Sequence, residues 1–294
     1  MDQAEREIAL DEGIHLRGTP IWFDASRRRT HCVLTGLGQK LPPRHERVLC
    51  SGELASILDR AGYRVGVLPA NWQQWLGFGG RQLKLVELGS GVGEAVALVD
   101  DGERRLLICG DLPRQRRPLP QVDHVVMSGR ALEHEGLEAA VAFEQVRILA
   151  ESRLAAGDST VVGVEALDVG LAVLRHLEAA GMPVRPRGLL AKAHHGSSHE
   201  TRRKAVVVAL SGERAQRGPD YLIDSGLGIA AQTTAVAQLI PCRWYVGLGE
   251  LKALCNETQA SMLSLYDCEP SRTVKVPKLK VRTVRAKHQA VLGL

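Results

Sequence analysis

Apolar positions along this chain fall into short runs broken by Gly, Pro and Asp, and most runs have strand length. The clearest stretch is Leu83 to Leu112. The run Leu83–Leu88 stops at Gly89-Ser90-Gly91, and Ala95–Val99 meets Leu106–Cys109 across Asp100-Asp101-Gly102-Glu103. An Asp-Gly pair between two apolar runs predicts a hairpin, because Gly tolerates the positive φ that the turn needs. The last run ends in Gly110-Asp111, which sets a carboxylate at the C-terminal end of a strand.

Before this stretch the pattern predicts two short strands within 14–24, a strand over 31–35 and another over 47–50. A helix follows over 52–61 with Ser51 as its N-cap, then a strand over 63–68. After it come a strand over 122–127, a long helix over 133–156 ended by Gly157, a strand over 160–164 and a helix over 166–180 ended by Gly181. Strands are expected near Val184 and over 188–193, 205–210, 221–224 and 241–246, with helices over 229–239 and 250–265. The alternation of strand and helix from Thr160 onward calls for parallel strands covered by helices. The tail 272–288 alternates Val with Lys and Arg, the pattern of an edge strand or hairpin with one basic face.

Gly89, Gly93, Gly110 and Asp111 carry a resemblance. Their order around the hairpin is similar to the middle of a metallo-β-lactamase-fold hydrolase of the β-CASP branch, which processes RNA and DNA. The nearest likeness is to bacterial DNA-ligase-associated exonucleases. The resemblance implies an α/β fold: a metallo-β-lactamase-like αββα sandwich built from 1–121 and 205–294, with a β-CASP-like α/β insert over 122–204. It also implies a two-metal site, and most of the ligands for that site are missing. Aligned on Thr35, the family's His-x-His-x-Asp-His becomes Gly36, Gly38, Lys40 and Leu41. A lysine there opposes a cation electrostatically. Ser90 stands where the family has a metal-binding His, Ser128-Gly129-Arg130 follows Met127 where relatives carry a carboxylate, and Gly247-Leu248-Gly249 replaces the closing His turn. Of the expected ligands only Asp111 remains. The implied protein is a catalytically inactive relative, a nucleic-acid-binding or scaffold subunit of a nucleic-acid-processing complex, with no cofactor. Its partner would be nucleic acid, or a protein such as an active nuclease, a ligase or a helicase.

Charge is compatible with that partner class. The chain carries a net +5 with a pI near 9.0. Its cations cluster at Arg27-Arg28-Arg29, Arg114–Arg117, Arg202-Arg203-Lys204 and along the tail at Lys275, Lys278, Lys280 and Arg282. Such clusters either line a solvated face or meet phosphates. Trp72 and Trp75 either stack on bases or pack the edge of a sheet.

A second chemistry is written in His194-His195-Gly196-Ser197-Ser198-His199. Neutral imidazoles suit zinc. The alternative reading is therefore a metal-dependent nuclease or phosphoesterase using zinc or manganese, with a rebuilt site around Asp111, His194 and His195. Asp24, His31 and His45 are further ligand candidates. The six cysteines are scattered without a C-x-x-C pair and read as buried free thiols. No apolar run approaches the ~18 residues a membrane helix needs, and the polar, acidic N-terminus does not resemble a signal peptide. A cytoplasmic location without membrane contact is expected. The richness in Ala, Arg and Gly suggests a bacterial source.

Overall fold

The computed structural model describes residues 8–10, 12–38, 40–129, 136–158, 160–164, 166–194, 205–210, 221–224, 236–239, 242–266, 280–283 and 289–293. They form a mixed α/β fold.

The chain opens with a six-stranded sheet in sequence order: β1 (Ile8–Leu10), β2 (Ile14–Leu16), β3 (Ile21–Phe23), β4 (His31–Val33), β5 (Arg47–Ser51) and β6 (Gly66–Ala70). The first three pair antiparallel, and β3 through β6 pair parallel. Helix α1 (Gly52–Arg60) makes the crossover between β5 and β6. Ser51 caps it as expected, accepting from the Leu54 amide, and Leu54, Ile57 and Leu58 form the buried face.

A second, eight-stranded sheet starts with β7 (Leu76–Phe78), β8 (Arg81–Glu87), β9 (Ala95–Asp100) and β10 (Arg105–Ile108), an antiparallel meander, and continues with β11 (His124–Ser128) parallel to β10. The chain then leaves this sheet. The two-residue strand β12 (Leu137–Glu138) leads into α2 (Ala139–Ala156), β13 (Thr160–Val164), α3 (Leu167–Ala179), β14 (Val184–Pro186), α4 (Gly188–Ala193), β15 (Val206–Leu210), β16 (Tyr221–Asp224) and β17 (Val236–Leu239). Strands β13 to β17 make a five-stranded, all-parallel sheet in the order β14-β15-β13-β16-β17. The chain returns through β18 (Cys242–Arg243), which pairs with β12, and α5 (Leu251–Thr258). It then completes the eight-stranded sheet with β19 (Met262–Tyr266), β20 (Lys280–Thr283) and β21 (Gln289–Gly293), in the order β20-β21-β19-β11-β10-β9-β8-β7.

The central strands are apolar on both faces because both faces are covered. Leu106 and Ile108 of β10 join Phe23, Val33 and Leu49 of the first sheet in one core. Leu107 and Cys109 point the other way, into a core closed by Leu251, Leu254 and Cys255 of α5. Alternation by two thus divides a continuous apolar run between two cores. The outer face of the first sheet contributes Cys32, Val48 and Cys50 to a third core, shared with α1, α2, α3 and the parallel sheet.

Several expected elements differ. Residues 188–193 are helix α4, not a strand. The expected helix over 229–239 holds strand β17 at its end. The expected helix over 250–265 stops at Thr258 and gives way to strand β19. Sheet membership also moves the expected borders. The strand at 124–128 stays in the eight-stranded sheet, while 206–210, 221–224 and 236–239 belong to the parallel one. No helix among the described residues is long and apolar enough to cross a membrane.

Candidate functional site

Strands β3, β4, β10, β11 and β19 run so that their C-terminal ends meet at one side of the two packed sheets. A cavity of about 330 Å³ opens there. Loops at the carboxyl ends of parallel strands are where α/β folds place their sites. The lining includes Asp24 after β3, Thr35 after β4, Gly110 and Asp111 after β10, Ser128 at the end of β11 and Tyr266 at the end of β19. Glu94, at the start of β9, and Asp168, in the first turn of α3, complete the acidic set; Lys40 lines the rim of the same cavity.

Each carboxylate is held differently. Asp24 adopts a positive φ of 44°, and its carboxylate accepts from Thr35, at 2.9 Å from the amide and 2.5 Å from the hydroxyl. These bonds fix the end of β3 against the end of β4. Asp168 is buried at 4% exposure. Its two oxygens accept from Trp244 Nε1 at 2.6 Å and from the Tyr245 hydroxyl at 2.9 Å. Glu94 accepts from the Ser90 hydroxyl at 2.7 Å, and its carboxyl lies beside Asp168 against Gly91. Burial, then the Asp168 charge, pushes the Glu94 carboxyl well above its usual range, and burial also raises Asp168. Two adjacent buried carboxyls cannot both ionise cheaply, so one holds a proton and donates it to the other. Burial and then the Asp168 charge likewise hold the Tyr245 hydroxyl protonated.

The loop that delivers Glu94 is Gly89-Ser90-Gly91-Val92-Gly93-Glu94. Gly89 and Gly93 have φ of 75° and 74°, a region other residues avoid. A Cβ on Gly93 would come within 2.7 Å of the Leu54 amide nitrogen. The Ser51 hydroxyl that caps α1 also donates to the Gly93 carbonyl at 2.8 Å, which pins the loop to the helix.

The structure brings Asp24 and Asp111 to one cavity. It does not bring the described histidines there. His194 ends α4 and faces Glu178 of α3, at 3.0 Å from Nε2 to Oε1. His45 is buried, and its Nδ1 accepts from the Arg29 amide at 3.1 Å. His31 is not among the lining residues. Among the described residues no three His, Cys, Asp or Glu side chains converge to hold a metal ion. The cavity lining offers carboxylates and no imidazole, so among the described residues the set does not match the histidine-bearing two-metal centre that the resemblance implies. His195 lies outside the described residues, as do Arg202, Arg203, Lys204, Lys275 and Lys278. Lys280 and Arg282 lie on β20, at the edge of the eight-stranded sheet.

The described basic clusters are largely engaged within the chain. Arg27 pairs with Glu12, and Arg28 with Glu46 at 3.5 Å. Arg29 lies over the Trp22 ring at 3.5 Å, with His15 stacked on that ring at 4.5 Å. Arg114 meets Glu138 and Glu250, Arg116 meets Glu257, and Arg117 meets Glu87. Trp72 donates to Glu53 at 3.3 Å, and the Lys84 ammonium lies 4.7 Å over Trp75.

Glu94, Asp168, Trp244 and Tyr245 were not legible as a site from the sequence. One signal was available: Asp168 is an acid flanked by Leu167 and Val169 at the apolar start of a helix, and such an acid must be paired when buried.

No family model matches this chain, and no curated protein matches it. Among solved structures, the chain is similar to a protein of unknown function from Enterococcus faecalis V583, at 9% identity over 80% of this chain and 75% of that one, with a TM-score of 0.53. At that identity the likeness concerns the fold alone.

Proposed function

We propose that this protein is a catalytically inactive metallo-β-lactamase/β-CASP-like protein that acts as a nucleic-acid-binding or scaffold subunit of a nucleic-acid-processing complex. Two face-to-face sheets with α5 outside one and α1 outside the other support the αββα part of that reading. The all-parallel sheet between β12 and β18 supports the β-CASP-like insert. The observation that carries the inactive reading is the Glu94–Asp168 acid pair. It fills the corner of the cavity next to Ser90, the position of the family's metal-binding His, with two buried carboxyls and no imidazole. Gly36, Gly38 and Lys40 line the same cavity and supply neither imidazole nor carboxylate.

An acidic cavity repels phosphate, so binding of a nucleic acid would use the outer basic residues. There it must compete with Glu12 and Glu46 for Arg27 and Arg28. Contacts of that kind are exposed and weak, which leaves them open to exchange.

The test is elemental mass spectrometry of chelator-free protein, followed by binding of single-stranded DNA, duplex DNA and RNA across a salt series. The proposal expects no stoichiometric metal and a salt-dependent affinity for nucleic acid, or stable co-purification with a protein partner. Two zinc or manganese ions per chain would overturn the inactive reading. One ion lost on substituting His194 and His195 would establish the rebuilt metal-dependent nuclease or phosphoesterase instead.

A further inference from the structure

We propose that the edge of the first sheet where β4, β5 and β6 begin is a surface for the phosphate backbone of a nucleic-acid duplex, with Arg44 and Arg47 at its centre. The proposal rests on the nucleic-acid-binding form of the functional reading above and says where that binding occurs.

The parallel strands sort charge by end. Strand β4 starts at His31 and leads to Thr35 in the cavity wall. Strand β5 starts at Arg47 and leads to Ser51, which is bonded to the loop that delivers Glu94. Carboxylates therefore collect where these strands finish, and cations where they start. Register sets His31, Arg47 and Gly66 side by side at the start of β4, β5 and β6. The amides of Glu46 and Arg47 donate to the carbonyls of Arg29 and Thr30, and Glu46 brings Arg28 to the same edge. Arg64 lies just before β6. Arg60 ends α1, and its Nε donates to the Lys192 carbonyl at 2.5 Å, so the exposed Lys192 at the end of α4 continues the row.

The acids along this row are few and exposed. Glu46 pairs with Arg28 at 3.5 Å and Asp59 with Arg64 at 3.3 Å, while Glu178, at the far end, faces His194. Exposed pairs of that kind are weak and exchange readily for a phosphate. Among the described residues Arg44 and Arg47 make no ion pair, and both are exposed. Their backbone is fixed all the same. Arg47 is in the ladder of β5. Arg44 lies between Pro43, whose carbonyl accepts from the Tyr63 hydroxyl and the His45 amide, and His45, whose buried ring accepts from the Arg29 amide. Two guanidiniums thus project from a rigid frame, which lowers the ordering cost of binding, and each offers the planar donor fork that fits a phosphate.

The aromatic residues decide between duplex and single strand. Proteins that hold single strands without sequence preference stack the bases on exposed aromatic rings. At this edge Tyr63 is buried, at 5% exposure, and the Trp22 ring is covered by Arg29 and His15. Cations without a stacking platform suit the phosphate rows of a duplex, whose bases are already stacked.

The experiment titrates the full chain into fluorescently labelled duplex DNA, duplex RNA and single-stranded DNA of one length, from about 50 mM to about 200 mM salt. Wild type is expected to bind a duplex more tightly than the single strand, with log K falling linearly with log salt. Each phosphate contact contributes a slope of about −0.9, so Arg44→Ala/Arg47→Ala should flatten the plot by about 1.8 and weaken duplex binding by about tenfold at the lowest salt. Lys252→Glu changes the net charge by the same amount at an exposed position on α5, outside the other sheet, and should leave affinity within about twofold. Far-UV circular dichroism checks that each variant is folded. A wild type that binds a duplex with the same affinity and slope as Arg44→Ala/Arg47→Ala overturns the surface and leaves the functional reading standing. An equal loss in Lys252→Glu, or tighter binding of the single strand, overturns it as well. A wild type that binds no nucleic acid at the lowest salt removes both the surface and the nucleic-acid-binding form of the functional reading, and leaves the scaffold form.

Discussion

At the scale of single residues, the buried acids and thiols give the sharpest consequences. Glu94 and Asp168 both have carboxyls raised above their ordinary values in the fold. A raised folded value means that the folded chain holds a proton the unfolded chain has already released. The pair's stabilisation is complete below the ordinary carboxylate range and is lost as pH climbs through the raised values. Each tenfold gain in proton affinity on folding corresponds to about 1.4 kcal/mol. Urea denaturation of wild type and Glu94→Gln across this range should show the wild type losing stability relative to the variant as pH rises; a gap that stays constant would refute the linkage. The cysteines make a second case. Burial pushes Cys32, Cys50 and Cys109 up to about 12, and Cys255 also rises. A thiol that stays protonated is neither nucleophile nor metal ligand. At about pH 8 these four should resist alkylation in the folded protein and react only once urea unfolds it, as peptide mapping by mass spectrometry would reveal. The sequence reading of buried free thiols agrees with these four. The acid pair was harder to foresee, because its members are 74 positions apart (168 − 94) and meet only when the parallel-sheet segment folds back on the hairpin.

At the scale of elements, local signals match the structure where side-chain chemistry and period agree. The Asp-Gly hairpin forms between β9 and β10, with the Asp100 and Asp101 carboxylates accepting from the amides of Gly102, Glu103 and Arg104. Helix α1 begins where Ser51 predicts. Sequence and structure part where the punctuation is unusual. Helix α5 ends at Gln259 in a left-handed conformation, φ 56°, without the Gly that ordinarily marks such an end, so the sequence pattern runs on as one longer helix and hides β19. The six residues of α4 form a short apolar run, for which periodicity does not separate helix from strand. Ser51 ties α1 to the loop of the candidate site, and that link is testable. Its hydroxyl serves both the Leu54 amide and the Gly93 carbonyl, and the residue is fully buried. Ser51→Ala removes a cap and leaves a buried carbonyl unsatisfied, an expected loss of about 2–3 kcal/mol. Denaturant midpoints check the loss, and a change below about 0.5 kcal/mol would mean that the Gly93 bond contributes nothing beyond exposed surface.

At the scale of the whole molecule, the question is whether the parallel sheet behaves as a separate body. The sequence suggested an insert, and sheet membership alone would agree. The cores argue otherwise. One apolar cluster contains Cys32, Val48 and Cys50 of the first sheet, Leu54, Ile57 and Leu58 of α1, Val146 of α2, Leu174 of α3, and Val162 and Val208 of the parallel sheet. Arg60 of α1 also donates to the Lys192 carbonyl at the end of α4. Exposing the face of the parallel-sheet segment would strand these side chains in water at roughly 25 cal/mol per Å² of apolar surface, so neither part gains by unfolding alone. The expected result is a single cooperative transition. Tryptophan emission samples both parts, since Trp22 lies on β3 and Trp244 contacts Asp168 of α3, whereas far-UV circular dichroism samples all helices and strands. The two signals should trace superimposable curves in urea, and Ile57→Ala, which opens a hole in the shared core, should move both midpoints together by an amount equivalent to about 2–5 kcal/mol. Two resolved transitions, with Ile57→Ala moving only one, would mean that the parallel sheet folds independently.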